Sequence, residues 1–454
     1  MILISLHCCA IDLDLSLSLS LRLGKIMSSS PLRIFTSTWN VAAFPSLNAA
    51  QQPAFADMLV HSHGINDLPD VYAISLQEIV PLNAVNILVS AGETQVALES
   101  WSTCILKVLN ENAQGVTFAL VDHIAVVGTA LLVFVRKAFL IDRTIRMGTV
   151  MSSSLNLGQF YTGNKAAVAI RARIGNQTVC FVSVHFAAHR GQASAQTRTE
   201  HMTYTVQQLA FYGCMEMSSM KTNSSHDNND GKESMESMDR ALLSESESEV
   251  VRQVEVCSLA VGDHDLCVLL GDLNARMKKN IDQSRVWNVV NEWGGIAAGE
   301  NVNHEKASQE MLPWDELWSE PMASTLRNLR FQEGPVTFAP TYKLTPGESK
   351  YHIPSPDKPK KIFNHCPSWC DRVLFSTRIP CKQIKYFSAP VFYSDHLPVF
   401  AVFDLGQVAN VETGETNVLD ARENEARQKS LNFVRQRSAS YGMCGSGSED
   451  CHVM

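Results

Sequence analysis

The chain has 454 residues, 45% of them apolar, with a formal net charge of −8 and a pI near 6.0. That is enough apolar content for a large core, while the acidic balance argues against a protein that coats nucleic acid with a basic face. No stretch reaches the 18 or more uninterrupted apolar residues of a membrane span. The 12 cysteines show no CxxC pairs or zinc-type spacing, and those in apolar runs, such as Cys180 and Cys267, read as reduced thiols of a reducing, cytoplasmic compartment.

Residues 1–30 have neither the basic start nor the continuous apolar centre of a signal peptide. They are expected to be a poorly ordered extension, with Met27 an alternative start. Order begins at Pro31. Arg33 to Val41 alternates polar and apolar residues and reads as a strand ending in Asn40. A short helix is expected at Phe55–Leu59. Asp70 to Glu78 reads as a second strand that ends in a carboxylate. Glu78 is either a helix-start residue or a metal ligand. Helical spacing runs from Asn83 to Asn110, with a break near Gly92.

Phe118–Val121 and Thr129–Arg136 read as paired strands. Gly163 to Ile170 is a turn feeding a strand, with Lys165 at its mouth, solvated or ligand-facing. Val179 to Phe186 is a core strand carrying His185, a hydrogen-bonded core residue or a catalyst. A helix is expected around residues 200–212. Residues 218–249 are rich in Ser, Asn, Asp and Glu and lack periodicity, which predicts an acidic disordered insertion.

The apolar run Val268–Leu270 stops abruptly at Gly271-Asp272-Leu273-Asn274. A buried strand delivers polar groups to a sheet edge in this way, and a turn uses the same residues. Asp272 and Asn274 point the same way while the chain stays extended. Trp287–Trp293 and Met311–Leu317 read as helices. Phe331 to Lys343 is an irregular loop presenting Tyr342 and Lys343. Lys350, Lys358, Lys360 and Lys361 follow, as a solubilising loop or as a basic rim for an anion. Pro367 to Phe375 leads into a strand. Tyr393 to Phe403 places Asp395-His396 just before the last core strand.

Asn40, Glu78, His185, Asp272 with Asn274, and Asp395 with His396 thus stand at five strand borders. Together they supply what phosphate-ester hydrolysis needs: acids for a hard divalent cation, a base for water and donors for phosphoryl oxygens. The segments TWNVAAF (38–44), LQEIVPL (76–82), GNKAAVAIR (163–171), SVHFAAH (183–189), LLGDLNARM (269–277), GPVTFAPTYK (334–343), PSWCDRVLF (367–375) and YSDHLPVFAVF (393–403) occur in that order. In this the chain resembles the inositol polyphosphate 5-phosphatases of the exonuclease–endonuclease–phosphatase superfamily. PTYK with WCDR carries the specificity of the match, since GDLN and SDH alone mark only the superfamily.

The resemblance implies an α/β four-layer sandwich, two mixed sheets face to face with helices outside, over residues 31–404. It implies Mg²⁺-dependent removal of the 5-phosphate from phosphoinositides or soluble inositol phosphates. Glu78 would be the metal ligand with Asn40 beside it. Asp272 would deprotonate water, and Asn274 and His185 would hold the scissile phosphate. His396 would donate to the same phosphate with Asp371 fixing its tautomer, and Asp395 would help place metal or water. Lys165, Tyr342, Lys343 and Arg372 would line the substrate pocket.

The chain departs from the family after AAH, where Arg198 and Thr199 stand for an Arg-Asn pair. It departs again before PSWCDR, where Asn364, His365 and Cys366 stand for basic residues. Both touch the region that the resemblance assigns to the 4-phosphate. A superfamily nuclease or sphingomyelinase and a catalytically dead scaffold are the competing readings. Residues 405–454 read as a flexible tail with a modestly basic run. Cys451-His452-Val453-Met454 fits a prenylation box, with Cys444 available for a second chain. Such a lipid anchor would give peripheral membrane contact.

Overall fold

The computed structural model describes residues 31–61, 68–81, 91–142, 144–145, 147–158, 165–215, 255–292, 296, 304–353 and 365–406. The expected N-terminal extension, acidic insertion and C-terminal tail, with Cys444 and Cys451, lie outside them, as do Lys358, Lys360, Lys361 and Asn364. Two units divide the chain. The first holds residues through Ala210 and again from Ala260 to Glu415; the second holds Phe211–Leu259 and Thr416–Met454.

Fourteen strands are described: β1 (Leu32–Asn40), β2 (Val71–Gln77), β3 (Phe118–Val126), β4 (Thr129–Arg136), β5 (Met151–Asn156), β6 (Ala166–Ile174), β7 (Gln177–His185), β8 (Ala210–Met215), β9 (Glu255–Ala260), β10 (Leu266–Asp272), β11 (Gln332–Glu333), β12 (Asp371–Thr377), β13 (Cys381–Ser388) and β14 (Val399–Leu405). They form a six-stranded sheet of order β13-β14-β1-β2-β4-β3 and another of order β11-β12-β10-β7-β6-β5. Strands β8 and β9 make a separate two-stranded sheet. Each large sheet is mixed. Its central pair is parallel, β1 with β2 and β7 with β10, and antiparallel strands flank it. The α/β architecture of two mixed sheets with helices is the one that the sequence resemblance implies.

The alternation of side chains along a strand explains the layers. Ile34, Val71, Ala73 and Val133 of the first sheet share one core cluster with Ile170, Phe181, Val268, Leu270 and Val373 of the second. Their neighbours Phe35, Tyr72, Ile74 and Phe134 face the other way, into a cluster with Leu98, Trp101, Ile105 and Leu109 of the helix Ala91–Asn112. Both faces of the central strands are therefore covered, which is why these strands read as near-continuous apolar runs.

The inward-facing positions grade from apolar to polar along the strands. They run Ile34-Thr36-Thr38-Asn40 on β1, Val71-Ala73-Ser75-Gln77 on β2, Phe181-Ser183-His185 on β7 and Val268-Leu270-Asp272 on β10. All of these residues are buried. Hydrogen bonds link several of the polar ones, as burial favours. Ser75 Oγ meets Ser183 Oγ across the sheets at 2.7 Å, Gln77 Nε2 donates to Ser75 Oγ at 2.6 Å, and Ser183 Oγ donates to Ala130 O at 2.9 Å.

Several element boundaries differ from expectation. The described helix begins at Ala91, next to Gly92, and residues 82–90, where the expected helical spacing starts, are outside the described set. The helix expected near 200–212 is Gln192–Gln208, followed by β8. Helix ends at Met311, and Leu312–Trp314 is a single 3₁₀ turn that frees Asp315 and Glu316 from helical geometry.

Candidate active site

Topology alone brings the polar strand ends together. The parallel pairs end at the same side of the molecule, and each antiparallel neighbour begins there. β1 ends in Asn40, which pairs in register with Gln77, and Glu78 follows. β10 ends in Asp272, which lies opposite His185 on one side and Asp371 on the other. Ala166, next to Lys165, opposes His185. Asp395 and His396 directly precede β14, which pairs with β1.

These side chains meet around Asp272. Asn40 Nδ2 donates to Glu78 Oε1 and to Asp272 Oδ2, each at 3.1 Å. His185 Nε2 lies 3.4 Å from Asp272 Oδ2, 3.8 Å from Glu78 Oε1 and 2.6 Å from Lys165 Nζ. His396 Nε2 lies 4.0 Å from the same Asp272 oxygen. The other Asp272 oxygen accepts the Asn274 backbone N–H at 2.9 Å. Glu78 and Asn274 hold left-handed backbone, φ 54° and 53°, as do Ala42 and Ala43 in the loop after Asn40. Such backbone costs energy for residues other than glycine and clusters where geometry is functional.

A second group fixes His396. Its Nδ1 bonds Asp371 Oδ2 at 2.8 Å, and Thr341 Oγ1 donates to that oxygen at 2.6 Å. Trp39 Nε1 donates to His396 O at 3.0 Å. Tyr342 stacks at 4.7 Å from the His396 ring, and the Arg276 guanidinium covers the Tyr342 ring at 4.3 Å. Lys343 pairs with Asp395. Two buried atoms here, His185 Nδ1 and Asp371 Oδ1, have no hydrogen-bond partner among the described residues. Unsatisfied buried polar atoms of this kind mark a place for water or ligand.

Electrostatics divides the two histidines. Burial alone would discharge His396, but Asp371, Asp272 and Asp395 raise its pKa to about 9, so it is a cation at neutral pH. His185 is pushed well below the usual imidazole value by burial and by the cations Lys165 and His396, and stays neutral. Burial also lowers Lys165 to about 8, against the pull of Asp272 and Glu78, which leaves it mostly charged. Asp272 is raised by burial, with His396 opposing, which strengthens it as a base.

Asp272, Asp371 and His396 offer ligand atoms within 4.8 Å of one another. Asp371 Oδ2 and His396 Nδ1 are already bonded to each other, which makes the trio a hydrogen-bonded dyad facing a carboxylate. The pair suited to a hard divalent cation is Glu78 with Asp272: carboxylate oxygens, one at the mouth with its side chain 34% exposed.

The structure brings Asn40, Glu78, Lys165, His185, Asp272, Tyr342, Lys343, Asp371, Asp395 and His396 to this one mouth, and it corrects three expectations, for Asn274, Arg372 and Arg198. Asn40 bridges the two carboxylates through its amide nitrogen, and its Oδ1 accepts the Ala42 N–H at 3.1 Å. Asn274 does not share the direction of Asp272. β10 ends two residues earlier, at Asp272, and the Asn274 amide is held between Phe186 O, at 3.1 Å, and Arg276. Arg372 does not line the pocket. It follows Asp371 on β12 and so faces the opposite side, fully buried between Asp315 and Glu333. Arg198 is likewise buried, against Glu316 and the carbonyls of Ala187 and His189. Arg276 and Thr341 are site residues that sequence reasoning missed, although both lie inside motifs already singled out. Of the expected basic rim, Lys350 is exposed and pairs with Glu348.

Over residues 37–402 the chain matches endonuclease/exonuclease/phosphatase family 2, and it belongs to that family. Among curated proteins it is 26% identical to Caenorhabditis elegans synaptojanin, over 84% of this chain and 28% of that one. It is also 26% identical to the mouse type II inositol 1,4,5-trisphosphate 5-phosphatase, over 76% and 28%. An Arabidopsis thaliana type IV inositol polyphosphate 5-phosphatase is 25% identical over 82% of this chain and 77% of its own. The chain thus spans little more than a quarter of the first two. Among solved structures, the inositol polyphosphate 5-phosphatase domain of a synaptojanin, in complex with inositol (1,4)-bisphosphate and calcium ion, shares the fold. Its TM-score is 0.57 at 21% identity, covering 90% of this chain and 93% of that one.

Proposed function

We propose that this chain is an inositol polyphosphate 5-phosphatase that uses Mg²⁺ to remove the 5-phosphate from phosphoinositides or soluble inositol phosphates. The carrying observation is the convergence on Asp272 of Glu78, Asn40, neutral His185 and cationic His396. The named relatives support the same reading. Glu78, with Asp272, would hold the cation, which when bound supplies Lewis-acid polarisation of a phosphoryl oxygen.

The chain's own residues account for the rest. Asp272, buried and with its carboxylate fixed by Asn40 and the Asn274 N–H, takes a proton from the attacking water. His396, charged and oriented by Asp371, donates from Nε2 to a phosphoryl oxygen as negative charge grows there. Lys165 and Arg276 add positive charge. Neutral His185 contributes position beside the phosphate. Tyr342 and Lys343 stand beside the dyad, where the rest of an anionic substrate would lie. A locally cationic pocket on an acidic protein favours a small anion over a nucleic acid. Contact with a membrane surface, as for a lipid substrate, belongs to the same proposal.

The test is phosphate release from a panel of inositol lipids and soluble inositol phosphates, with and without Mg²⁺, alongside Asp272→Ala. Mg²⁺-dependent release that the variant loses is expected. Equal release by the variant, or activity on abasic DNA alone, overturns the reading.

A further inference from the structure

The segment that follows the 3₁₀ turn Leu312–Trp314 was unremarkable as sequence, yet it meets β12, the chain that follows β10 and, through Arg198, the loop after β7. Its backbone runs antiparallel beside the chain after β10. Lys278 N donates to Trp314 O at 2.7 Å, Met277 bridges Asp315, and Glu316 N donates to Arg276 O at 3.0 Å. Its two consecutive carboxylates then part. Asp315 takes Arg372 Nη1 at 3.1 and 3.2 Å, and Arg372 is the residue after Asp371. Glu316 takes Arg198, which reaches from the helix Gln192–Gln208. With its other nitrogen Arg198 donates to Ala187 O at 2.8 Å and His189 O at 2.9 Å, in the loop directly after His185. All four side chains are buried or nearly so, none above 14% exposed.

We infer that Asp315 and Glu316 are positioning residues. They form an acidic clasp that holds the strand ends bearing His185, Asp272 and Asp371 in reacting register, through Arg198, the Arg276 backbone and Arg372. The inference rests on the proposed phosphatase reading.

Three observations favour this over plain fold stability. The polar bonds of the clasp end in or near the site: at Arg372, the residue after Asp371, at the Arg276 backbone, and at the Ala187 and His189 carbonyls, two and four residues after His185. Arg198 spends both guanidinium nitrogens on either Glu316 or loop carbonyls, so its direction sets the path of the chain leaving His185. Burial and the neighbouring Asp315 raise the Glu316 pKa to about 7, with Arg198 opposing, so the charge is costly to keep where it is. A group whose folded pKa is raised stabilises the fold below its unfolded value, and that contribution is lost as pH rises through the folded value. Removing the charge on Glu316 therefore costs the fold little near neutral pH, while the hold on Arg198 needs that charge. The charged groups around Glu316 are Arg198 from the helix, Arg190 from the loop after β7, and Asp315 on its own segment, the last paired with Arg372.

The experiment compares phosphate release by the wild type, Glu316→Gln and the double variant Arg198→Met with Glu316→Leu, which keeps the volume and drops the ion pair. For Glu316→Gln the clasp predicts kcat lower by about tenfold or more, since small displacements of reacting groups are that expensive. KM should stay within about twofold, with a melting temperature at pH 7 within about 4 °C of the wild type. The clasp also predicts an activity step near pH 7 in the wild type, as Glu316 gains its charge, and none in the variant. The double variant, folded and stable, should stay as slow, because nothing grips the Ala187 and His189 carbonyls. Wild-type kcat in Glu316→Gln, or in a stable double variant, overturns the clasp. The wild type in the same assay separates the two claims: no release defeats the proposed activity, whereas release equal to that of Glu316→Gln defeats only the clasp.

Discussion

Asp371 and Arg372 are neighbours on one strand, and the difference in their fates shows how far a single residue's setting governs its chemistry. Asp371 faces between the sheets and holds His396; Arg372 faces out and is consumed by Asp315 and Glu333. Substitution of Arg372 by Met should leave KM nearly unchanged and destabilise the fold by about 3–5 kcal/mol, because two buried carboxylates lose their cation. Chemical denaturation measures the second effect and steady-state kinetics the first; a raised KM in a stable variant would restore Arg372 to the pocket. The sequence already contained this outcome, since adjacent strand residues cannot face the same side. Motif resemblance placed both in one site only because it ignored parity.

Replacement of Asp371 by Asn removes the largest attraction that keeps His396 charged, so the His396 pKa must fall from about 9. In the proposed mechanism the active form is the charged one. The alkaline limb of kcat should therefore move to lower pH in Asp371→Asn, and a pH–rate profile reads it directly. The stability linked to His396 follows the same sign. It is fully present below the unfolded imidazole value and fades as pH rises through about 9 in the wild type. An unmoved limb would mean that His396 is not the group that titrates.

Strands deliver the site, and their close approach demands particular residues. Gly271 precedes Asp272, and a Cβ built there would lie 2.0 Å from Val184 O on the adjoining parallel strand. Gly271→Ala must push β10 away from β7, at a cost of about 1–3 kcal/mol. Activity should fall further than stability explains, because Asp272 and His185 sit at the next pair in register. An active variant of wild-type stability would show that the two strand ends need not stay paired.

Much of this layer was legible. β1, β2, β7, β10 and β14 carry long apolar or alternating runs, and their polar last residues announced the site. Strands β5 and β13 escaped notice because they are serine- or lysine-containing segments next to or at sheet edges, without a fully buried face. Asp315 and Glu316 escaped because a helical reading of Met311–Leu317 carried past Pro313, where the helix gives way to one tight turn. The reversal of Asn274 escaped because nothing in Gly-Asp-Leu-Asn tells an extended chain from a left-handed turn at its fourth residue.

At the scale of the whole molecule, two sheets pack with their parallel pairs ending on one side, and each inner face turns polar only there. Apolar burial holds the sheets together, while Ser75, Ser183 and Gln77 satisfy one another beneath the pocket. An overall negative protein thus concentrates Lys165, Arg276 and His396 around a single carboxylate. Association with an anionic substrate should weaken as salt screens that local field, so kcat/KM should fall with ionic strength while kcat holds. A kcat/KM that is indifferent to salt would remove the field from the account.

The most direct test of the central claim, that distant strand ends assemble one cation-dependent phosphate site, is a Mg²⁺ titration of phosphate release by the wild type and by Glu78→Gln. Glu78 is the most exposed acid of the cluster, so its neutral variant should fold normally. The account predicts that the half-saturating Mg²⁺ concentration rises by about tenfold or more, the usual scale for losing part of a metal site. An unchanged Mg²⁺ dependence in a folded variant would contradict it.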